Sequence, residues 1–254
     1  MKILIGGSGT LGRSFFNLTT KNQNIKAKII PLKESTLLTF KNEFNELNKD
    51  DVFIDFMDPN DVNITFDILL NNKANIFREY ALKHSEKKFY IYISTCNLYK
   101  TSLGKIDESS EIKSKLSPYL EMKLNSEKKI TRFCQSDFAI LRIVNIWSHD
   151  SKNSFFGDLL SAKSNNIFIK PRENDKEVIS YAHILDVCKI IEAIITSQKL
   201  GIINISTNCF NSRENLKATV NEQITKSITN NLGYRICSNV INWESILSKK
   251  KELF

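Results

Sequence analysis

The chain begins with KILIGGSGTLGR, an apolar run of strand length that passes through clustered glycines into a helical pattern carried by Leu11, Phe15, Phe16 and Leu18. Only 8 glycines occur in 254 residues, so Gly6, Gly9 and Gly12 at one strand-to-helix junction mark a demand made by the backbone. Three tasks at such a junction need a residue without Cβ: a tight turn, assigned to Gly6; a close approach to an anion, assigned to Gly9; and tight packing of helix on strand, assigned to Gly12. The positive end of the following helix then suits a phosphate.

The alternation continues downstream. IKAKIIPL, DVFIDFM, FYIYIST and FAILRIV are further strand-length runs, with helical spacing over residues 61–84 and again around Tyr119. Continuous apolar strands separated by helices imply a parallel sheet covered on both faces. The expectation is an α/β protein with a Rossmann-type doubly wound parallel sheet and ligands at the carboxyl ends of its strands. Beyond residue 146 the pattern loosens into a polar stretch from His149 to Glu177. ILDVCKIIEAIITS then reads as a helix, GIINIS as a late strand, and the remainder as short helices. The expected plan is a nucleotide-binding domain of residues 1–145 and 181–207 with a small discontinuous lobe of 146–180 and 208–254.

Composition narrows the function. The hydrophobic fraction of 41% is enough for a sizeable core. The net charge of +8 comes from scattered lysines whose densest run, Lys249–Lys251, lies at the C-terminal end, so it reads as a solvated surface and no nucleic-acid partner is expected. Five cysteines, Cys96, Cys134, Cys188, Cys209 and Cys237, are widely spaced without a C-x-x-C, and His84, His149 and His183 have no partners at metal spacing. No disulfide framework and no metal site are expected. With no leader pattern and no apolar run near the roughly 20 residues of a membrane span, the expected setting is the cytoplasm, without membrane insertion.

A dinucleotide such as NAD calls for a carboxylate at the end of the second strand, to bind the ribose 2′-hydroxyl. That position falls in PLKES, around Leu32 and Lys33, with no acid before Glu34. Lys33 and Arg13 instead offer cations where a 2′-phosphate would lie, favouring NADP(H) over NAD(H). Further on, SPYLEMKLN places Tyr119 and Lys123 four residues apart, side by side on a helix. An ammonium beside a phenol favours the phenolate, and a poised phenol can exchange a proton with a carbonyl oxygen.

GGSGTLG, YISTCNLY at 92–99, the Tyr119–Lys123 pair, LRIVN at 141–145 and SYAHILDV at 180–187 follow one another in the order and spacing of a known family. The chain resembles the extended short-chain dehydrogenase/reductase superfamily, and within it the NAD(P)-dependent nucleotide-sugar epimerases, dehydratases and 4-ketoreductases. The resemblance implies a catalytic trio of Thr95, Tyr119 and Lys123, with Lys123 also holding the nicotinamide ribose. It implies cofactor contacts from Gly6, Ser8, Gly9, Thr10, Leu11, Gly12, Arg13 and Lys33, besides Tyr119 and Lys123. Substrate contacts fall to Thr95, Cys96, Asn97 and Asn145, the last near the substrate phosphates. It implies too that the helices of 61–84 and of Tyr119 pair with a second subunit as a homodimer, although core packing explains the same apolar faces.

Dehydratases of the group carry an acidic pair directly after the catalytic Thr, whereas this chain has Cys96 and Asn97. Epimerases retain NAD, and the missing carboxylate argues against that. The expected activity is therefore NADPH-dependent reduction of the 4-keto group of a nucleotide-activated 6-deoxy-4-ketohexose, in deoxysugar and surface polysaccharide synthesis. An NAD-dependent nucleotide-sugar epimerase is the alternative among enzymes, and a non-catalytic nucleotide-sensing protein the alternative of another class. The chain departs from the family at Lys100, where a glycine is usual, and at Ile179, where a basic residue often contacts the diphosphate; Lys170 or Arg172 is the substitute. In MDPND, Asp58 would face cofactor phosphates unless it points away. His183 and Asp186 read as structural groups at a helix start, and Cys96 as a pocket wall.

Overall fold

The computed structural model describes residues 1–58, 65–86, 88–100, 106–134, 137–148, 155–170, 176, 178–206 and 210–230, with backbone alone at 65–70, 210 and 224–230. In chain order its elements are β1 (Lys2–Gly6), α1 (Thr10–Thr19), β2 (Lys26–Ile30), α2 (Leu37–Asn45), β3 (Val52–Asp55), α3 (Thr65–Lys83) and β4 (Phe89–Thr95). A 3-10 turn at Cys96–Leu98 precedes α4 (Pro118–Phe133), β5 (Phe138–Ile143), β6 (Asn145–Trp147) and α5 (Phe155–Ser164). Then come β7 (Val178–His183), α6 (Ile184–Ser197), β8 (Gly201–Ile205), β9 (Phe210–Ser212) and α7 (Arg213–Asn230).

Two compact units result, Met1–Ile146 with His183–Ile205, and Trp147–Ala182 with Ser206–Phe254. The first holds a six-stranded sheet in the order β2-β1-β3-β4-β5-β8, parallel throughout. This is the doubly wound α/β arrangement. The order reverses at β1, which pairs β2 on one side and β3 on the other, so the carboxyl ends of β1 and β3 flank the crevice where such sheets take ligands. Burial explains the sequence patterns: β3 and β4 are buried at every position because helices cover both faces. The edge strand β2 alternates, with Lys26 and Lys28 outward, and lysine on an edge discourages pairing with another chain.

On one face an aromatic cluster fastens the helices. Phe40 of α2 stacks on Phe77 of α3 at 4.6 Å between centroids, and Phe44 meets Phe53 of β3 edge-on at 5.3 Å. The helix α2, absent from the sequence expectation, is capped by Thr36, whose hydroxyl accepts from the Thr39 amide, and it buries Phe40 and Phe44 one turn apart. α1 packs beside α6.

In the second unit β7 and β9 pair antiparallel, Val178 opposite Ser212. Leu159 and Val220 form its core with Phe155, Phe156, Ile169 and Leu216 around them. The polar stretch 149–177 thus contains a helix, α5. Instead of only short helices, the C-terminal part has the 18-residue α7, which packs Leu216 and Val220 into that core. Arg172 and Lys249–Lys251 lie outside the described residues. Among the described residues no helix is long and apolar enough to cross a membrane, and no group of three His, Cys, Asp or Glu side chains could hold a metal ion.

Candidate active site

At the glycine loop the structure redistributes the expected tasks. Gly6 is still part of β1, paired with Ile30 and Asp55, and a Cβ there would meet Met57 and Phe53 side chains at 3.1 Å. The turn falls to Gly7, with φ of +100° and room for a Cβ only 2.5 Å from the Phe56 carbonyl oxygen. A Cβ on Gly12 would lie 2.5 Å from the Gly7 carbonyl oxygen, so that helix and loop touch through this residue. Gly9 caps α1 with no side-chain hydrogen bond, and nothing lies within 4 Å of where its Cβ would be. Helix bonding starts with the Arg13 amide donating to the Gly9 carbonyl, leaving the amides of Thr10, Leu11 and Gly12 ahead of the ladder. An open approach at Gly9 before three leading amides fits a dinucleotide pyrophosphate.

Arg13 and Lys33 are both exposed. Lys73 of α3 donates to the Lys33 carbonyl at 3.3 Å, adding a cation beside the end of β2. Sequence reasoning missed Lys73, because only tertiary packing brings α3 to the segment between β2 and α2, 40 residues away. Ser8 sits half-buried in the loop, and Thr10 and Leu11 form the first turn of α1.

Thr95 ends β4 and is 7% exposed. Its hydroxyl oxygen accepts from the Asn97 amide at 3.2 Å, and the hydroxyl hydrogen remains to donate. Cys96 donates from Sγ to the Arg142 carbonyl at 3.0 Å, and burial pushes its thiol up to about 12, which makes it a neutral wall. Asn97 is exposed. Asn145 begins β6 two residues after Ile143, the register partner of Thr95, so it lies at the same end of the sheet.

α4 starts with Ser117, whose hydroxyl accepts from the Leu120 amide at 3.4 Å, and with Pro118 at its first position. This sets Tyr119 in the first turn, half-buried, with Lys123 one turn on; the Lys123 Nζ is 5.7 Å from the Tyr119 ring centroid. α4 packs on β4, and Lys123 donates to the Ile93 carbonyl at 2.7 Å, two residues before Thr95.

A second bond ties Lys123 to Asp58, Nζ to Oδ2 at 3.0 Å. The Asp58 carboxylate is not left bare: its side chain is 2% exposed, pairs with Arg78 at 2.6 Å and accepts from the Tyr92 hydroxyl. Arg78, fully buried, also grips Asp55 at 2.7 Å and donates to Ser126 Oγ at 3.0 Å, while Tyr90 donates to Asp55 at 2.9 Å. Two carboxylates and two cations thus alternate along Asp55–Arg78–Asp58–Lys123. Burial is the largest influence on Asp58 and favours its neutral form, yet Arg78 and Lys123 together hold its carboxyl well below the usual range. Burial likewise opposes the Lys123 ammonium, and Asp58 and then Tyr119 outweigh it, so Lys123 stays above its ordinary value. The signal in the sequence was Asp55 inside an apolar strand, since a buried charge on a central strand needs a partner.

A second buried pair anchors α4 further along. Arg142 of β5 grips Glu127 at 2.7 and 3.1 Å, Ser94 donates to the same carboxylate, and the guanidinium lies 4.8 Å from the Tyr99 ring centroid. Tyr99 in turn donates to Asn204 of β8 at 2.7 Å. Lys100 pairs on the surface with Glu111 at 3.1 Å. His183 caps α6 by accepting from the Leu185 amide at 3.3 Å, and Asp186 is buried in the first turn, its carboxyl raised by burial. In the second unit Ile179 is buried in β7, and the Lys170 carbonyl accepts from Lys217.

No family model matches the sequence, and no curated protein matches it. Solved structures do. The UDP-glucuronic acid 4-epimerase of Bacillus cereus, solved in complex with NAD, superposes with a TM-score of 0.74 at 18% identity, covering 89% of this chain and 84% of that one. A dTDP-4-dehydrorhamnose reductase of Clostridium acetobutylicum gives 0.70 at 18% identity, covering 93% and 84%. The UDP-glucose 4-epimerase of Thermus thermophilus, also with NAD, gives 0.71 at 14%, covering 89% and 84%. This chain thus shares its doubly wound α/β fold with these solved epimerases and this reductase.

Proposed function

We propose that the protein is an NADPH-dependent reductase of the 4-keto group of a nucleotide-activated 6-deoxy-4-ketohexose, serving deoxysugar and surface polysaccharide synthesis. The observation that carries the reading is Tyr119 beside the buried ammonium of Lys123 on α4, against the strand that ends in Thr95. A bound nicotinamide supplies the hydride. Tyr119 gives the proton to the carbonyl oxygen, Thr95 donates a hydrogen bond to the same oxygen as charge develops, and Lys123 keeps the phenol beside a fixed positive charge. Cys96, neutral and bonded to a backbone carbonyl, does no acid–base work after Thr95, which separates the site from a dehydratase. On this reading the sugar lies against Thr95, Cys96, Asn97 and Asn145.

The test is to supply a 4-keto-6-deoxy nucleotide sugar with NADPH and follow the near-ultraviolet absorbance of the reduced cofactor. Stoichiometric oxidation supports the reductase. Interconversion of nucleotide sugars without net oxidation supports the second reading, an epimerase, which the two NAD-bound epimerase neighbours favour. Binding without either reaction identifies a nucleotide sensor. Tyr119→Phe should lower turnover by about 10²–10⁴-fold while leaving NADPH affinity within about twofold, measured by steady-state kinetics and fluorescence titration.

A further inference from the structure

An ammonium has three N–H donors. In Lys123 one goes to the Ile93 carbonyl on β4 and one to Asp58 after β3, so two elements fix the head of a normally flexible side chain and one donor is left for the site. Asp58 lies three residues beyond Asp55, the register partner of Gly6, and the Phe56 amide between them donates to the Gly6 carbonyl at 2.8 Å. The backbone just before Asp58 therefore adjoins the glycine loop, while its carboxylate is buried against Arg78, Lys123 and Tyr92, which absorb its charge.

We infer that Asp58 is a positioning residue: it holds Lys123 charged and pre-aimed, with a single donor for the nicotinamide ribose. The inference rests on the reductase reading and adds a residue to it. The charged and titratable groups around the ammonium are Asp58 and, behind it, Asp55 from the β3 region, Arg78 from α3, Tyr92 from β4 and Tyr119 from α4. Holding the ammonium before the cofactor arrives removes an ordering cost from binding. It also makes Asp58 act through Lys123, so the two residues lose their effects together.

Titration of wild type, Asp58→Asn, Lys123→Met and the double variant with NADPH and NADH, followed by fluorescence, tests this. Asp58→Asn should weaken NADPH binding about tenfold, and should change it less than about twofold once Lys123 is Met. Equal weakening in both backgrounds, or none in either, overturns the inference. Asp58→Asn leaves two buried cations against one carboxylate; should it fail to fold, Asp58→Glu, which keeps the charge and displaces it, replaces it in both backgrounds with the same criterion. The alkaline limb of kcat/KM in the Asp58→Asn enzyme should move to lower pH, because the buried ammonium loses the carboxylate that supports it. An unmoved limb also overturns the proposal. Wild-type protein that binds neither NADPH nor NADH overturns the reductase reading and this role together, whereas normal wild-type binding with an indifferent Asp58 variant overturns this role alone.

Discussion

Two charged regions flank the same sheet end and differ in every physical respect. Asp55, Arg78, Asp58 and Lys123 are buried, alternate in sign and sum to zero, each bonded to the next within 3.0 Å. Arg13 in the first turns of α1, and Lys33 and Lys73 beyond the end of β2, share one sign and stand at or near the surface. Charges of the first kind are held in place by one another, and removing one strands the rest in a low dielectric. Charges of the second kind cost little to lose and act over distances that salt can screen. The first arrangement fixes geometry; on the proposed reading the second selects the ligand.

The largest effect that could break this contrast is Arg78→Met. It leaves two buried carboxylates with one ammonium and should cost about 3–5 kcal/mol in urea denaturation; a loss below about 1 kcal/mol would make the cluster no more structural than a surface pair. Next comes a pair of glycine variants. Gly12→Ala drives a Cβ into the Gly7 carbonyl and should lower the melting temperature, whereas Gly9→Ala meets open space and should melt like wild type while weakening NADPH binding. Replacing Arg13 and Lys33 together by Ala should weaken NADPH binding about tenfold with NADH unchanged, and the NADPH preference of wild type should shrink as salt rises. The smallest effect is in pH. Asp58 is held below its ordinary 3.8, so its pairing contributes in full above about pH 4 and is lost as the pH falls further. Lys123 is held above 10.5 and contributes in full up to that pH, so these two groups add no slope to stability between about pH 4 and 10.5.

The strands of the sheet were legible because burial on both faces leaves continuous apolar runs, and the glycine cluster was legible because few glycines occur elsewhere. What escaped had no local signal. Gly6 and Gly7 are adjacent, and the positive φ falls on the second because β1 pairing extends through the first. Asp58 was conspicuous in MDPND, but its partner Arg78 lies 20 residues on in a helix, and nothing in either segment names the other. The second unit was least legible: α5 lies within a stretch that is polar on average, and Leu159 of α5 finds its core partner Val220 of α7 some sixty residues on, which neither segment announces.

The bare cap at Gly9 has a thermodynamic consequence. A Ser or Asn at that position would accept from a leading amide and typically add about 0.3 kcal/mol over Gly, so α1 forgoes self-satisfaction at the end that faces the crevice. Its leading amides are the part of the helix with most to gain from an anion. The stability of the first helix, and with it its packing against α6, thereby becomes a function of ligand concentration, and the melting temperature of the whole domain becomes a readout of whatever binds there.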